Sequence, residues 1–136
     1  NVSAIMNEFA SRIPRRGFVI LFSDLFDHED AFIDAMNLLR FKGQHIIVFQ
    51  MMDPEELTFP FGGTVKFLGL EGEDELKVQP DRLRADYLEE VELLKQKIST
   101  ACRAVNADYV LVDTGRPVQD VLIEYLNTRK ALHWQR

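Results

Sequence analysis

The chain has 136 residues, of which 46% are hydrophobic, so it is long enough for a single domain with one hydrophobic core. Its 16 basic and 22 acidic residues give a formal net charge of -6, which disfavours binding to the phosphate backbone of nucleic acids. A single cysteine permits no internal disulfide and indicates a reducing compartment, so we expect a cytoplasmic protein. No apolar stretch reaches the roughly 20 residues that a membrane-spanning helix needs.

The first elements predicted along the chain are a helix and a strand. Apolar residues recur at helical spacing over residues 2–13, and Pro14 ends that helix. Residues 18–22 then form an uninterrupted apolar run, which Asp24 follows closely. A run of this kind predicts a central parallel strand that is covered on both faces.

A second helix and a second strand complete a strand–helix–strand unit. Asp27 and Asp30 form an acidic pair typical of a helix start, and Gly43 lies where a left-handed C-terminal cap is needed. Residues 46–52 predict a second buried strand, which ends at Asp53. In a unit of this kind the helix connects two parallel strands, and the crossover is almost always right-handed.

A loop and a hairpin are predicted next. Residues 54–63 have the composition of a loop. Phe59 and Phe61 flank a proline in it, and we favour packing of this segment onto the core over an exposed docking element. Residues 64–70 and 75–79 alternate between apolar and polar, which predicts a β-hairpin.

The remainder of the chain predicts a long helix, a third strand and a last helix. The long helix begins at about Asp81 and carries Cys102 on its apolar stripe, where we interpret the thiol as a small buried hydrophobe. Residues 109–112 predict a third buried strand, and Pro117 opens the last helix. The order of elements predicts an α/β fold: one domain over residues 1–136, with a three-layer, Rossmann-like parallel sheet and an added hairpin.

Three predicted strands each lead into an acidic residue, namely Asp24, Asp53 and Asp113. The carboxyl ends of parallel strands share one edge of a sheet, so the three carboxylates are candidates for a Mg²⁺ site. Aspartate after a strand also caps helices and turns. Capping is favoured for Asp53 and Asp113, and the two interpretations are evenly balanced for Asp24.

The metal interpretation would make the chain a Mg-dependent hydrolase or phosphotransfer domain that uses these three acids. A receiver-like domain with Asp53 as phosphoacceptor is disfavoured, because Pro54 follows it and no lysine ends the last parallel strand. The spacings typical of zinc sites, phosphate loops and serine hydrolases are missing from the sequence. Ser23, for example, has no histidine that the spacing would place beside it.

Three motifs in the right order resemble the bacterial family catalogued as domain of unknown function 58. They are residues 21–27 (LFSDLFD), residues 48–57 (VFQMMDPEEL) with residues 59–61 (FPF), and residues 109–114 (YVLVDT). The resemblance extends over residues 15–126. It implies a domain similar to the von Willebrand factor type A fold, of which this chain would be the C-terminal portion.

The resemblance implies a protein partner rather than a reaction. Members of the family are often encoded beside AAA+ ATPases of the MoxR type, which implies a non-enzymatic adaptor or assembly factor. Ser23, Asp53 and Asp113 are then candidate interaction residues at the carboxyl edge of the sheet.

Type A domains hold Mg²⁺ at a metal-ion-dependent adhesion site, and Asp24 matches the acid that follows the fourth strand of that fold. The Asp-x-Ser-x-Ser motif that supplies most of the ligands does not occur in the sequence. The site would therefore be incomplete, because Mg²⁺ demands near-octahedral oxygen coordination. We expect no cofactor in this chain, whereas Mg²⁺ binding would belong to a longer protein.

The resemblance also implies that the first three strands of the type A fold are missing. The strand over residues 18–22 would then have a bare apolar edge, and such an edge invites pairing with another copy. We expect a homodimer through this edge unless the first helix folds over it.

Overall fold

A computed structural model gives the structure of the chain and describes residues 8–13, 16–24, 29–60 and 80–133. Within these ranges an open parallel sheet has the strand order β1 (Phe18–Ser23), β2 (His45–Met52) and β3 (Asp108–Asp113). The helices are α1 (Glu29–Phe41), α2 (Pro54–Thr58), α3 (Pro80–Ala104) and α4 (Val118–His133). Residues 8–12 form a further helical segment. This arrangement confirms the predicted α/β, Rossmann-like sheet.

The core lies on both faces of the sheet, because successive residues of a strand point to opposite faces. On one face, side chains of the sheet pack against α1 and α3 in a cluster that includes Ile46, Val48, Met36 and Ile98. On the other face a smaller cluster packs against α4; its buried members are Ile47, Phe49, Val112 and Val121. The central strand β2 therefore buries apolar side chains on both of its faces.

One glycine, Gly43, ends helix α1. Gly43 has a φ of 77°, a left-handed conformation that residues with a Cβ rarely adopt. Its N–H donates to the carbonyl of Arg40, and the N–H of Gln44 donates to the carbonyl of Leu39. These two bonds cap the helix and turn the chain into β2, which confirms the predicted C-terminal cap.

Two expectations were wrong. Residues 54–58 are helical rather than part of a loop, because Asp53 supplies an N-terminal cap and Pro54 suits the first helical position. The prediction that residues 18–22 are covered on both faces also fails. Phe18, Ile20 and Phe22 are 65%, 51% and 62% exposed. Their face is open because α4 packs over β2 and β3, and β1 forms the edge of the described sheet.

Part of the prediction falls beyond the described ranges. The hairpin over residues 64–70 and 75–79 lies there, and so do Asp27 and Phe61. Phe59 is described, and its ring centroid lies 4.9 Å from that of Tyr87 on α3. This contact agrees with the packing interpretation of the segment.

Candidate functional site

Asp53 lies at the carboxyl end of β2, where it acts as the N-cap of α2. Its Oδ1 accepts a hydrogen bond of 2.8 Å from the N–H of Glu55, and its own N–H donates to Oε2 of Glu56 at 2.7 Å. This reciprocal pattern is a capping box, which satisfies backbone donors that the first turn leaves unpaired. The Asp53 carboxylate is therefore engaged in local structure.

Asp113 ends β3 and organises the turn that follows. Its Oδ1 accepts a hydrogen bond of 2.8 Å from the N–H of Gly115. A Cβ placed on Gly115 would lie 2.7 Å from Cγ of Pro54, so any other residue at position 115 would require its neighbours to shift. The turn after β3 thus packs closely against the start of α2.

Asp24 follows β1 and is exposed. Its backbone carbonyl accepts a hydrogen bond of 3.3 Å from Nε2 of Gln50, a residue that is fully buried in β2. Oε1 of Gln50 accepts a hydrogen bond of 2.8 Å from the hydroxyl of Tyr109 on β3. Burial, with smaller effects of the thiol of Cys102 and the carboxylate of Glu92, raises the pKa of Tyr109 to about 12, so its hydroxyl keeps its proton.

The structure places the candidate residues along one edge of the sheet, but their side chains do not form one cluster there. Ser23 is half-buried and level with Gln50 of β2. Asp24 follows β1 and Asp113 ends β3, the two outer strands, so their backbones are two strand spacings apart, or about 10 Å. In the part of the chain that the structure describes, no three His, Cys, Asp or Glu side chains could hold a metal ion.

The three acids therefore do not fit a shared Mg²⁺ site, because among the described residues their carboxylates do not come together in one group of ligands. Gln50 and Tyr109 were missed by the sequence reasoning. The one signal that could have found them is the polar Gln50 inside an otherwise apolar strand interior.

The open face of β1 continues onto α4. The ring of Phe22 stacks on Phe49 with centroids 4.9 Å apart, and Phe49 meets the ring of Tyr125 edge-on at 5.4 Å. At the other end of β1, the guanidinium of Arg129 lies 5.3 Å from the centroid of Phe18. These contacts place one side of α4 directly beside the exposed side chains of β1.

That side of α4 is apolar. Val118, Leu122 and Leu126 recur at spacings of four residues and are all exposed. The opposite side of the helix carries Glu124 and Thr128, which line a groove at the outer edge of β3. We call the combined surface on the β1 side the β1–α4 surface, and its six residues are Phe18, Ile20, Phe22, Val118, Leu122 and Leu126.

Hydrogen bonds fix the position of α4 near the amino end of the sheet. The hydroxyl of Tyr125 donates to Oδ2 of Asp108 at 2.7 Å, and Nη1 of Arg129 donates to that hydroxyl at 2.8 Å. Burial and the bond to Asp108 raise the pKa of Tyr125. These bonds hold the Arg129 end of α4 against β3.

The groove at the outer edge of β3 has a volume of about 550 Å³ and lies between α3 and α4. Arg116 lines it and forms a two-bond ion pair with Glu124. Cys102 lies at its base, fully buried, and burial raises the pKa of the thiol to about 11. The interpretation of Cys102 as a buried hydrophobe is confirmed.

Among the described residues, each helix is too short or too polar to cross a lipid bilayer. A search of curated proteins and a search of solved structures each returned no match. The sequence model of one family, described as protein of unknown function DUF58, matches residues 1–97. This range includes the motifs at residues 21–27 and 48–61 and ends within α3, before residues 109–114. The chain therefore belongs to the DUF58 family.

Proposed function

We propose that the chain is a non-enzymatic protein-interaction domain whose docking face is the β1–α4 surface. The observation that carries this proposal is the contiguous exposure of six large apolar side chains on one strand and one helix. With about 150–250 Å² for a phenylalanine and about 100 Å² for an aliphatic side chain, their exposed parts amount to roughly 500 Å². The largest apolar patch on a single chain, about 300–600 Å² in ordinary proteins, is often functional.

The polar residues at the carboxyl edge of the sheet also favour a non-enzymatic interaction domain over a Mg-dependent hydrolase or phosphotransfer domain. Asp53 and Asp113 both accept backbone N–H groups, so their carboxylates stabilise a helix start and a turn. In the described part of the chain they do not join with Asp24 in a group that could hold a metal ion. Ser23 and Asp24 remain candidates for contacts with a partner at this edge.

We propose a MoxR-type AAA+ ATPase as one partner. Support comes from the family, whose members resemble this chain and are often encoded beside such ATPases. The second proposed contact is self-association through the open edge of β1.

Binding of the purified chain to a purified MoxR-type ATPase from the same organism, measured by calorimetry, tests the proposal. We expect Leu126→Lys to weaken binding at least tenfold, because it replaces an exposed apolar side chain of the docking face with a charge. Leu93→Lys is the matched control, since Leu93 is an exposed leucine of α3 outside that face, 52% exposed against 59% for Leu126. Equal binding by the two variants, or no binding by the unmodified chain, would contradict the proposal.

A further inference from the structure

We infer that an extended peptide segment of a partner protein binds in the groove beside β3 and adds a strand to that edge of the sheet. The site goes beyond the proposed function, because it lies on the other side of α4 from the β1–α4 surface. Three features carry the inference: backbone groups of β3 that face outward, a groove that has room for a strand, and an unpaired arginine at one end of the groove.

The backbone of β3 offers hydrogen-bonding groups at its outer edge. The N–H of Thr114 donates to the carbonyl of Met52 at 2.9 Å. Alternate residues of a parallel strand bond to the same neighbour, so the even-numbered residues of β3 bond to β2. The N–H and C=O groups of Tyr109 and Leu111 therefore point away from β2. Among the residues that the structure describes, no strand lies beside these groups.

This edge lies across the sheet from β1. The strands that the resemblance to the type A fold implies before this chain would pair with β1, so they would leave the outer edge of β3 unchanged. Unpaired strand edges are sites at which extended peptides join a sheet through main-chain hydrogen bonds. The outer edge of β3 is therefore suited to a peptide in strand conformation.

The groove has room for such a strand. Its volume is about 550 Å³, which is within the range of ligand sites, and along β3 it spans residues 108–111, or about 13 Å. Because α3 and α4 form its two walls, successive side chains of a bound strand point alternately to one wall and to the other. Cys102 of α3 and Val121 of α4 are both buried and apolar. The walls therefore favour short β-branched side chains, which also suit a strand.

An arginine at the amino end of β3 selects the charge of the peptide. Arg103 is exposed, lies in the last turn of α3 and lines the groove. None of the described acidic side chains pairs with it. The other two arginines that line the groove are engaged, Arg116 with Glu124 and Arg129 with Asp108. We therefore expect an acidic residue of the peptide at the Arg103 end of the groove.

Selection from a library of random eight-residue peptides displayed on phage, with the purified chain as bait, tests whether the site exists. We expect the enriched sequences to have β-branched residues in the middle and an aspartate or glutamate near one end. The most enriched peptide is then synthesised with a fluorescein label, and its binding is measured by fluorescence anisotropy. Failure to enrich any such sequence would overturn the inference.

Reversal of the charge at Arg103 tests where the acidic residue binds. We expect Arg103→Glu to weaken binding of the labelled peptide roughly threefold, since an exposed ion pair contributes little. Arg84→Glu is the matched control, because Arg84 is an exposed arginine of the same helix outside the groove. It changes the net charge equally and should leave binding unchanged. Equal binding by the two variants would contradict the inference.

Methylation of the peptide backbone, one amide nitrogen at a time, tests the strand pairing. A strand bonds to its neighbour through alternate residues, so methyl groups at every second position should weaken binding at least tenfold. Methyl groups at the positions between them should change binding by less than about twofold. A peptide held only by its side chains shows no such alternation, and that result would overturn the inference whatever the effect of Arg103→Glu.

Hydrogen exchange locates the bound peptide on the protein. The amides of Tyr109 and Leu111 should exchange more slowly when the peptide is bound, because they gain acceptors. Protection of the amides of β1 instead would place the peptide at the opposite edge and overturn the inference. The ATPase-binding experiment with Leu126→Lys addresses the other side of α4, so failure of this site and failure of the proposed function are separately observable.

Discussion

The hydroxyl of Tyr109 donates a hydrogen bond of 2.8 Å to Oε1 of Gln50, and this contact ties β3 to a polar side chain buried within β2. The amide of Gln50 also donates to the carbonyl of Asp24, just past the end of β1. One glutamine side chain thus links all three strands near their carboxyl ends. A polar group at a buried position is tolerated because its hydrogen bonds replace those to water.

Tyr109→Phe should destabilise the fold, since it leaves Oε1 of Gln50 buried without a donor. We expect the free energy of unfolding, measured in urea, to fall by about 1–3 kcal/mol. Tyr87→Phe is the matched control, because no hydrogen bond of the Tyr87 hydroxyl is seen among the described residues. It should change stability by less than about 0.5 kcal/mol. Equal losses in the two variants would show that the bond to Gln50 contributes nothing.

Removal of the cap on α2 should also reduce stability. Asp53→Ala deletes the oxygen that accepts from Glu55, and we expect a loss of about 0.5–2 kcal/mol in urea unfolding. Asp53→Asn keeps an acceptor oxygen and should retain most of the original stability. If Asn is as damaging as Ala, the negative charge of Asp53 has a role beyond the cap.

Calorimetric titration with Mg²⁺ addresses the incomplete metal site. We expect no binding tighter than about 10⁻⁴ M, because one exposed carboxylate at Asp24 cannot supply the oxygen ligands that the ion requires. Asp24→Asn should therefore give the same titration as the unmodified chain. Tighter binding that is lost in Asp24→Asn would establish a metal site and revive the enzymatic alternative.

Burial of Cys102 should make stability fall at high pH. Its pKa in the fold is about 11 against an ordinary value of 9.0, so the unfolded chain loses this proton first as the pH rises. The contribution of the neutral thiol is complete below pH 9 and is lost as the pH rises towards 11. The alanine variant has no thiol to titrate.

Urea unfolding of the unmodified chain and of Cys102→Ala between pH 7.5 and 10.5 measures this effect. The unmodified chain should be the more stable at neutral pH, since Cys102→Ala leaves a small cavity. The difference should narrow above pH 9. If the difference in the free energy of unfolding between the two proteins stays constant from pH 7.5 to 10.5, ionisation of the thiol makes no contribution to the stability of the fold.

Local patterns in the sequence predicted most of the elements. The apolar run at residues 46–52, the helical stripe of α3 and the glycine after α1 each depend on neighbours within a few positions. The short helix α2 was missed because it has only five residues and no apolar stripe. The spacing of Asp53 and Glu56, three residues apart, was the signal in the sequence that could have found it.

The candidate site was less accessible to sequence reasoning. Strand order was enough to place Asp24, Asp53 and Asp113 along one edge of the sheet. Whether these carboxylates come together in one site or cap the next helix or turn depends on the path that the chain takes after each strand. Shifts of a few ångströms in that path decide between the two. The bond between Gln50 and Tyr109 joins residues 59 positions apart, and no local pattern encodes it.

The sequence by itself determined the parallel α/β fold and the membership of the DUF58 family, because periodicity and short motifs are properties of neighbouring residues. Only the tertiary structure decided that one face of β1 stays open. An apolar run indicates that a strand can be buried. Whether a helix covers it depends on packing between segments that are distant in the sequence. Here α4 settles over β2 and β3, and the exposed stripe of Phe18, Ile20 and Phe22 follows from that choice.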